Sequence, residues 1–140
     1  MATRVWIYDT TLGDGCQGER VTFSVEDKLR VAHRLDELGV GYIEGGWPGA
    51  NPTDSEFFAQ VPKLRATMTA FGMTKRVGRS AENDDVLAAV LDAGTPAVCL
   101  VGKCHEFHVT TALGVTLEEN REAIAASFKH VVARGREALF

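Results

Sequence analysis

Short runs of β-forming residues alternate with longer amphipathic stretches down the whole chain, and this alternation limits the fold more than any single motif. Val5-Trp6-Ile7-Tyr8, Tyr42-Ile43, Thr67 to Phe71 and Ala97 to Val101 read as strands, and Glu137-Ala138-Leu139-Phe140 reads as the opening of a fifth. Strand starts near residues 5, 42, 66, 97 and 137 recur about every 33 residues. Strand, helix, strand in strict succession requires parallel strands joined by right-handed crossovers. An open doubly wound sheet of five strands would be complete at 140 residues. Eight units of this length would instead approach the roughly 250 residues of a (β/α)8 barrel, of which this chain would be about the first four βα units plus the start of a fifth strand. The pattern alone permits both.

The helices carry their own punctuation. Ser24 and Asp27, three apart, form a capping box ahead of a stripe of Val25, Leu29, Ala32, Leu35 and Leu38, and Gly39 stands where a C′ glycine belongs. Asn51-Pro52 is an N-cap followed by an N1 proline, opening a short helix that buries Phe57 or Phe58. Asn83 is expected to cap a helix with Val86, Leu87, Val90 and Leu91 inside and Gly94 at its end. Thr116 and Glu119 make a second capping box before the stripe Ala123, Ile124, Phe128 and Val131, which ends at Gly135.

Composition excludes several classes of function. With 45% apolar and 24% charged residues the chain is globular, and at 140 residues it fits one domain. A net charge of -4 with scattered basic residues leaves no footprint for nucleic acid. No apolar run approaches the roughly 18–20 residues of a membrane span, and Met1-Ala2-Thr3-Arg4 opens no signal peptide. Cys16, Cys99 and Cys104 are odd in number and form no CxxC pair, so a reduced, cytoplasmic setting is expected.

In parallel α/β folds, chemistry gathers at the carboxyl ends of the strands. The expected ends are unusually polar: Asp9 to Glu19 after the first strand, Glu44 to Pro52 after the second, Gly102 to His108 after the fourth. Asp9, Asp14 and Glu44 would meet on one rim as an oxygen-rich site for a divalent cation, unless Asp and Gly serve there only as turn residues. Cys104-His105-Glu106-Phe107-His108 holds three metal-ligand types in five residues but lacks the second spaced pair of a structural zinc site, so His105 and His108 read as helix or loop residues. His33 and His130 fall mid-helix and read as solvated. Trp47 either lines an acyl pocket or packs over the second strand's loop. Neither Gly45-Gly46 nor the glycines at 13–18 read as a phosphate loop, for want of the strand and helix context.

Tyr8-Asp9-Thr10-Thr11-Leu12-Gly13-Asp14-Gly15-Cys16-Gln17 resembles the first-strand signature Asp-Thr-Thr-Leu-Arg-Asp-Gly-x-Gln of the barrel metalloenzymes that include isopropylmalate, homocitrate and citramalate synthases and hydroxymethylglutaryl-CoA lyase. Phe23-Ser24-Val25-Glu26-Asp27-Lys28-Leu29 looks like that family's first helix. Tyr42 to Pro52, Thr69-Ala70-Phe71-Gly72, Ala93-Gly94-Thr95-Pro96 and Gly102-Lys103 with Phe107 to Thr110 resemble its citramalate-forming branch. The resemblance implies a TIM barrel, with residues 1–140 as the N-terminal half of its catalytic domain. It implies an acyltransferase that condenses acetyl-CoA with pyruvate, on the route to isoleucine, with a divalent metal as Lewis acid. Carried over by position, Asp14 is the metal-ligating aspartate, Thr10, Thr11 and Gln17 surround the keto acid, and Glu44 lies on the same rim as support or ligand-facing acid. The alternatives are an isopropylmalate-type synthase or related lyase, and a noncatalytic half-barrel that binds or dimerises through its sheet edges. A homo-oligomer is expected.

Three departures qualify this. The family arginine falls on Gly13, and losing such an electrostatic stabiliser costs on the order of 100–1,000-fold. The family's His-x-His metal pair has no match among His33, His105, His108 and His130. The glutamate that orients the arginine lies, by resemblance, just past Phe140. The isolated chain is therefore expected to be inactive.

Overall fold

The computed structural model describes residues 3–140. Five strands, β1 (Tyr8–Asp9), β2 (Tyr42–Glu44), β3 (Thr67–Met73), β4 (Ala97–Val101) and β5 (Glu137–Leu139), pair in parallel in the order β1-β2-β3-β4-β5. Four helices, α1 (Val25–Leu38), α2 (Pro52–Gln60), α3 (Asp85–Asp92) and α4 (Leu117–Ala133), occupy the crossovers. A doubly wound sheet needs a point where strand order reverses. This sheet has none, so the chain forms part of a barrel wall.

Strand alternation sorts the sheet into two faces. Ile43, Met68, Ala70, Val98 and Leu100 join one buried cluster with Ala32 of α1, Phe57 and Phe58 of α2, Leu87 and Val90 of α3, and Val131 of α4. All four helices therefore cover the same face. The opposite face carries Tyr8, Tyr42, Glu44, Thr69, Phe71 and Cys99, with Tyr8 stacked on Tyr42 at 6.0 Å. Every buried side-chain nitrogen and oxygen among the described residues has a hydrogen-bond partner.

Both capping boxes form as expected, Asn51 caps α2, and Gly39 closes α1 with φ +86°, a conformation that favours glycine. Four expectations need correction. The first strand is paired only at Tyr8–Asp9; it is an edge strand, its pairing starts where Gly41 N and Tyr42 N donate to Ile7 O, and Val5 and Trp6 lie outside. Asp84, not Asn83, caps α3, because Ala81–Asn83 makes its own 3-10 turn and the Asp84 carboxylate accepts from Leu87 N. Leu38 is 78% exposed at the end of α1, whereas Lys28 turns inward and is 1% exposed. His130 is largely enclosed, with Nδ1 3.7 Å from Glu82 Oε1.

Candidate functional site at the carboxyl ends of β1 and β2

β1 delivers the chain into a tight turn at Thr10, where Gly13 N and Gly15 N both donate to Thr10 O, and then into a 3-10 turn over Asp14–Gln17. β2 ends on Glu44, whose side chain folds back under that turn. Tyr8 Oη donates to Glu44 Oε2 at 2.8 Å, and Asp14 N donates to Glu44 Oε1 at 3.3 Å. Glu44 is only 5% exposed. Burial pushes its carboxyl up from the usual range, and the bonds from Tyr8 and Asp14 offset part of that rise. The Tyr8 hydroxyl is raised as well, by burial first and then by its contacts with Cys99 and Glu44.

A cavity of about 410 Å³ opens at this end of the sheet, lined by Thr10, Gly13, Asp14, Gln17 and Glu44 together with Trp47, Asn51 and Phe71. Four residues singled out in the sequence, Thr10, Asp14, Gln17 and Glu44, thus line one cavity. The Asp14 carboxylate faces it with no hydrogen bond or ion pair to another described residue. Trp47 lines the cavity and packs edge-on to Phe71 of β3, with centroids 5.5 Å apart.

Thr11 stays outside the lining. Its N–H and hydroxyl donate to Asp9 Oδ1 and Oδ2 at 2.9 and 3.2 Å. That local bonding also keeps the Asp9 carboxylate turned to Thr11, and among the described residues no three His, Cys, Asp or Glu side chains gather as a metal-holding group. Asp9, Asp14 and Glu44 therefore do not form the three-carboxylate cluster expected from strand ends alone.

Gly13 is where the family arginine would stand. A Cβ added there would collide with Glu44 Oε1 and lie 2.8 Å from its Cδ, so the glutamate fills the space that a side chain would need. Gly13, Gly15 and Gly18 do have the spacing Gly-x-Gly-x-x-Gly, but a 3-10 turn replaces the helix, and Glu44 holds the Asp14 N–H that a phosphate would use. Neither Arg20 nor Lys103 lines the cavity. Cys16 is half-buried against the carbonyls of Thr11 and Leu12, and burial pushes its thiol up, away from nucleophilic use.

Cys104 to His108 lies elsewhere on the rim. These residues are exposed, His105 Nδ1 accepts from Phe107 N at 3.2 Å, and a π-helical turn over His108–Leu113 follows. His33 is exposed on α1. Sequence reasoning missed Tyr8 as the partner of Glu44, Phe71 as a wall, and a second cavity of about 260 Å³ at the ends of β3 and β4 that is lined by Lys75, Arg76 and Lys103. Cations directly after a strand were a readable signal for the latter.

A one-faced, sequentially ordered parallel sheet with its polar cavity at the carboxyl ends defines part of a (β/α)-barrel wall, and the chain belongs to the HMGL-like family, which it matches over residues 4–140. It is 47% identical to the (R)-citramalate synthase of Streptomyces coelicolor across 93% of this chain and 25% of that protein. It is 46% identical to the (R)-citramalate synthase of Aquifex aeolicus across 100% of this chain and 27% of that protein. The 2-isopropylmalate synthase of Listeria innocua is 29% identical across 96% of this chain and 25% of that protein. The chain thus spans about a quarter of the length of these curated relatives. In fold it matches the crystal structure of the HMG-CoA lyase from Brucella melitensis with a TM-score of 0.73 at 17% identity, covering 98% of this chain and 48% of that one.

Proposed function

We propose that residues 1–140 form the N-terminal half of a catalytic TIM barrel of the (R)-citramalate synthase type, an acyltransferase that joins acetyl-CoA to pyruvate in isoleucine biosynthesis in the cytoplasm. The observation that carries this reading is the convergence of Thr10, Asp14, Gln17 and Glu44 on one cavity at the carboxyl ends of β1 and β2. Identity of 47% to a citramalate synthase against 29% to an isopropylmalate synthase favours pyruvate over a branched keto acid. Apolar side chains exposed at both flanks of the sheet, Val5, Trp6 and Ile7 beside β1 and Phe140 beyond β5, suit a wall that the remainder of a barrel would cover.

Within this reading, Asp14 is a metal ligand and Thr10 and Gln17 hydrogen-bond the keto acid. Glu44 has both oxygens engaged, by Tyr8 and by the Asp14 N–H, so it is a positioning residue that holds the 10–17 turn in place rather than a proton carrier. A divalent ion would supply Lewis-acid polarisation of the keto group. One open carboxylate does not make such a site, so Asp14 contributes one ligand and the others come from outside this chain. Lys75, Arg76 and Lys103 at the second cavity suit the phosphates of a CoA ester.

The test is thiol release by the full-length protein. Pyruvate with acetyl-CoA should yield free CoA and citramalate, and the branched keto acid that would give isopropylmalate should react poorly. Preference for the branched acid would move the protein to the isopropylmalate class. The isolated 140-residue chain should be inactive, as should its Gly13→Arg variant.

A further inference from the structure

Lys28 is a buried cation that the proposed chemistry does not use. It lies on the inner side of α1 and forms an ion pair with Asp54 of α2, its ammonium also 5.2 Å from the Phe57 ring. Asp54 is itself buried. While Oδ1 takes Lys28, Oδ2 accepts from Trp47 N at 2.9 Å and from Asn51 Nδ2 at 2.8 Å. Gly46 has φ +127°, and a Cβ there would collide with the Asp54 carboxylate, so that carboxylate sits directly against the Gly46–Trp47 peptide. The indole that this peptide carries lines the cavity beside Phe71, and Asp54 borders the same cavity, whereas Lys28 does not.

Two helices can be joined as firmly by apolar packing as by a buried ion pair, so stability alone does not account for Lys28 and Asp54. The ion pair adds direction: it holds a carboxylate at the one place where it reads the N–H of Trp47. We propose that Lys28 and Asp54 are positioning residues that fix the pose of the Trp47 loop and thereby set how large a keto-acid side chain the cavity admits. The size-setting part rests on the function proposed above; the positioning part does not.

Full-length protein carrying 5-fluorotryptophan separates the two. The fluorine lines of Trp47 and Trp6 are assigned by Trp47→Phe and Trp6→Phe. The double variant Lys28→Met/Asp54→Leu replaces the pair by apolar side chains, which commonly preserves folding. In it the Trp47 line should shift or broaden while the Trp6 line stays. The preference for pyruvate over 2-oxobutanoate in kcat/KM should fall by about tenfold, the scale of one methylene in a pocket, through KM more than through kcat. If the double variant does not fold, Asp54→Asn, which keeps the shape and weakens the pairing, should move the same line by less. A Trp47 line that stays in place in a folded variant overturns the positioning. A shifted line with unchanged keto-acid preference overturns the size-setting. A wild-type protein with no keto-acid turnover at all overturns the functional reading, and the fluorine line still decides the positioning.

Discussion

Two connections leave the carboxyl ends of the sheet with side chains that invite chemical interpretation, and they are built in opposite ways. The stretch from Glu44 to Asn51, between β2 and α2, is tied at nearly every residue: Gly45 N donates to Thr69 O and Phe71 N to Gly46 O, both at 2.9 Å, and Trp47 N reaches Asp54. The stretch from Gly102 to Val115, between β4 and α4, carries a Cys, two His and a Glu in five residues, yet it lies mostly exposed, anchored at Val109 and through Asn120 Nδ2 on Lys103 O. Density of reactive residue types along a sequence does not locate a site. Convergence of partners from different strands does, because only that holds a group in one geometry.

The sharpest way to break this contrast is to remove packing from each region. Ile43→Ala, directly beneath the Glu44 rim and fully buried, should cost about 2–5 kcal/mol in urea unfolding. Phe107→Ala, 62% exposed, should stay within about 0.5 kcal/mol. Equal losses would place the two regions on the same footing.

A smaller effect is expected at Gly13. Gly13→Arg has to displace the Glu44 side chain from its bonds with Tyr8 and Asp14, and overpacking of this kind costs about 1–3 kcal/mol. Adding Glu44→Ala should return part of the loss in a double-variant cycle. An unchanged melting temperature in Gly13→Arg would mean that the glutamate does not depend on the missing side chain.

The smallest effect concerns pH. Burial raises the Glu44 carboxyl in the folded protein, so between the ordinary and the raised value the native state binds more proton than the unfolded one. Its contribution to stability is then fully present below the ordinary carboxylate range and is lost as pH rises through the raised folded value. Glu44→Gln should flatten that part of the stability-versus-pH curve measured by urea unfolding. A parallel curve for wild type and variant would show that Glu44 titrates as it does when unfolded.

Much of this was legible in the sequence. Both capping boxes and the Asn51 cap were legible because their partners lie three residues away, and the strand spacing because the alternation repeats down the whole chain. The convergence of Asp14 and Glu44 was legible because one lies in the turn that follows β1 and the other ends β2, so both fall at the carboxyl end of the sheet. Lys28 was not: its partner Asp54 is 26 residues distant, and a lysine on a helix reads as solvated until that partner is known. Asp9 was misread for the reverse reason, since its own backbone neighbour Thr11 captures the carboxylate before any distant group can. The collision between a residue-13 side chain and Glu44 joins two strands and could only be seen in three dimensions.

Pyruvate-dependent release of free CoA thiol from the full-length protein distinguishes chemistry at the Asp14 rim from chemistry at the histidine-bearing segment. Asp14→Asn should lower the rate at least about 100-fold, whereas His105→Ala/His108→Ala should remain within about twofold of wild type. Retained turnover in Asp14→Asn with loss in the double histidine variant would place the chemistry at the histidine-bearing segment instead.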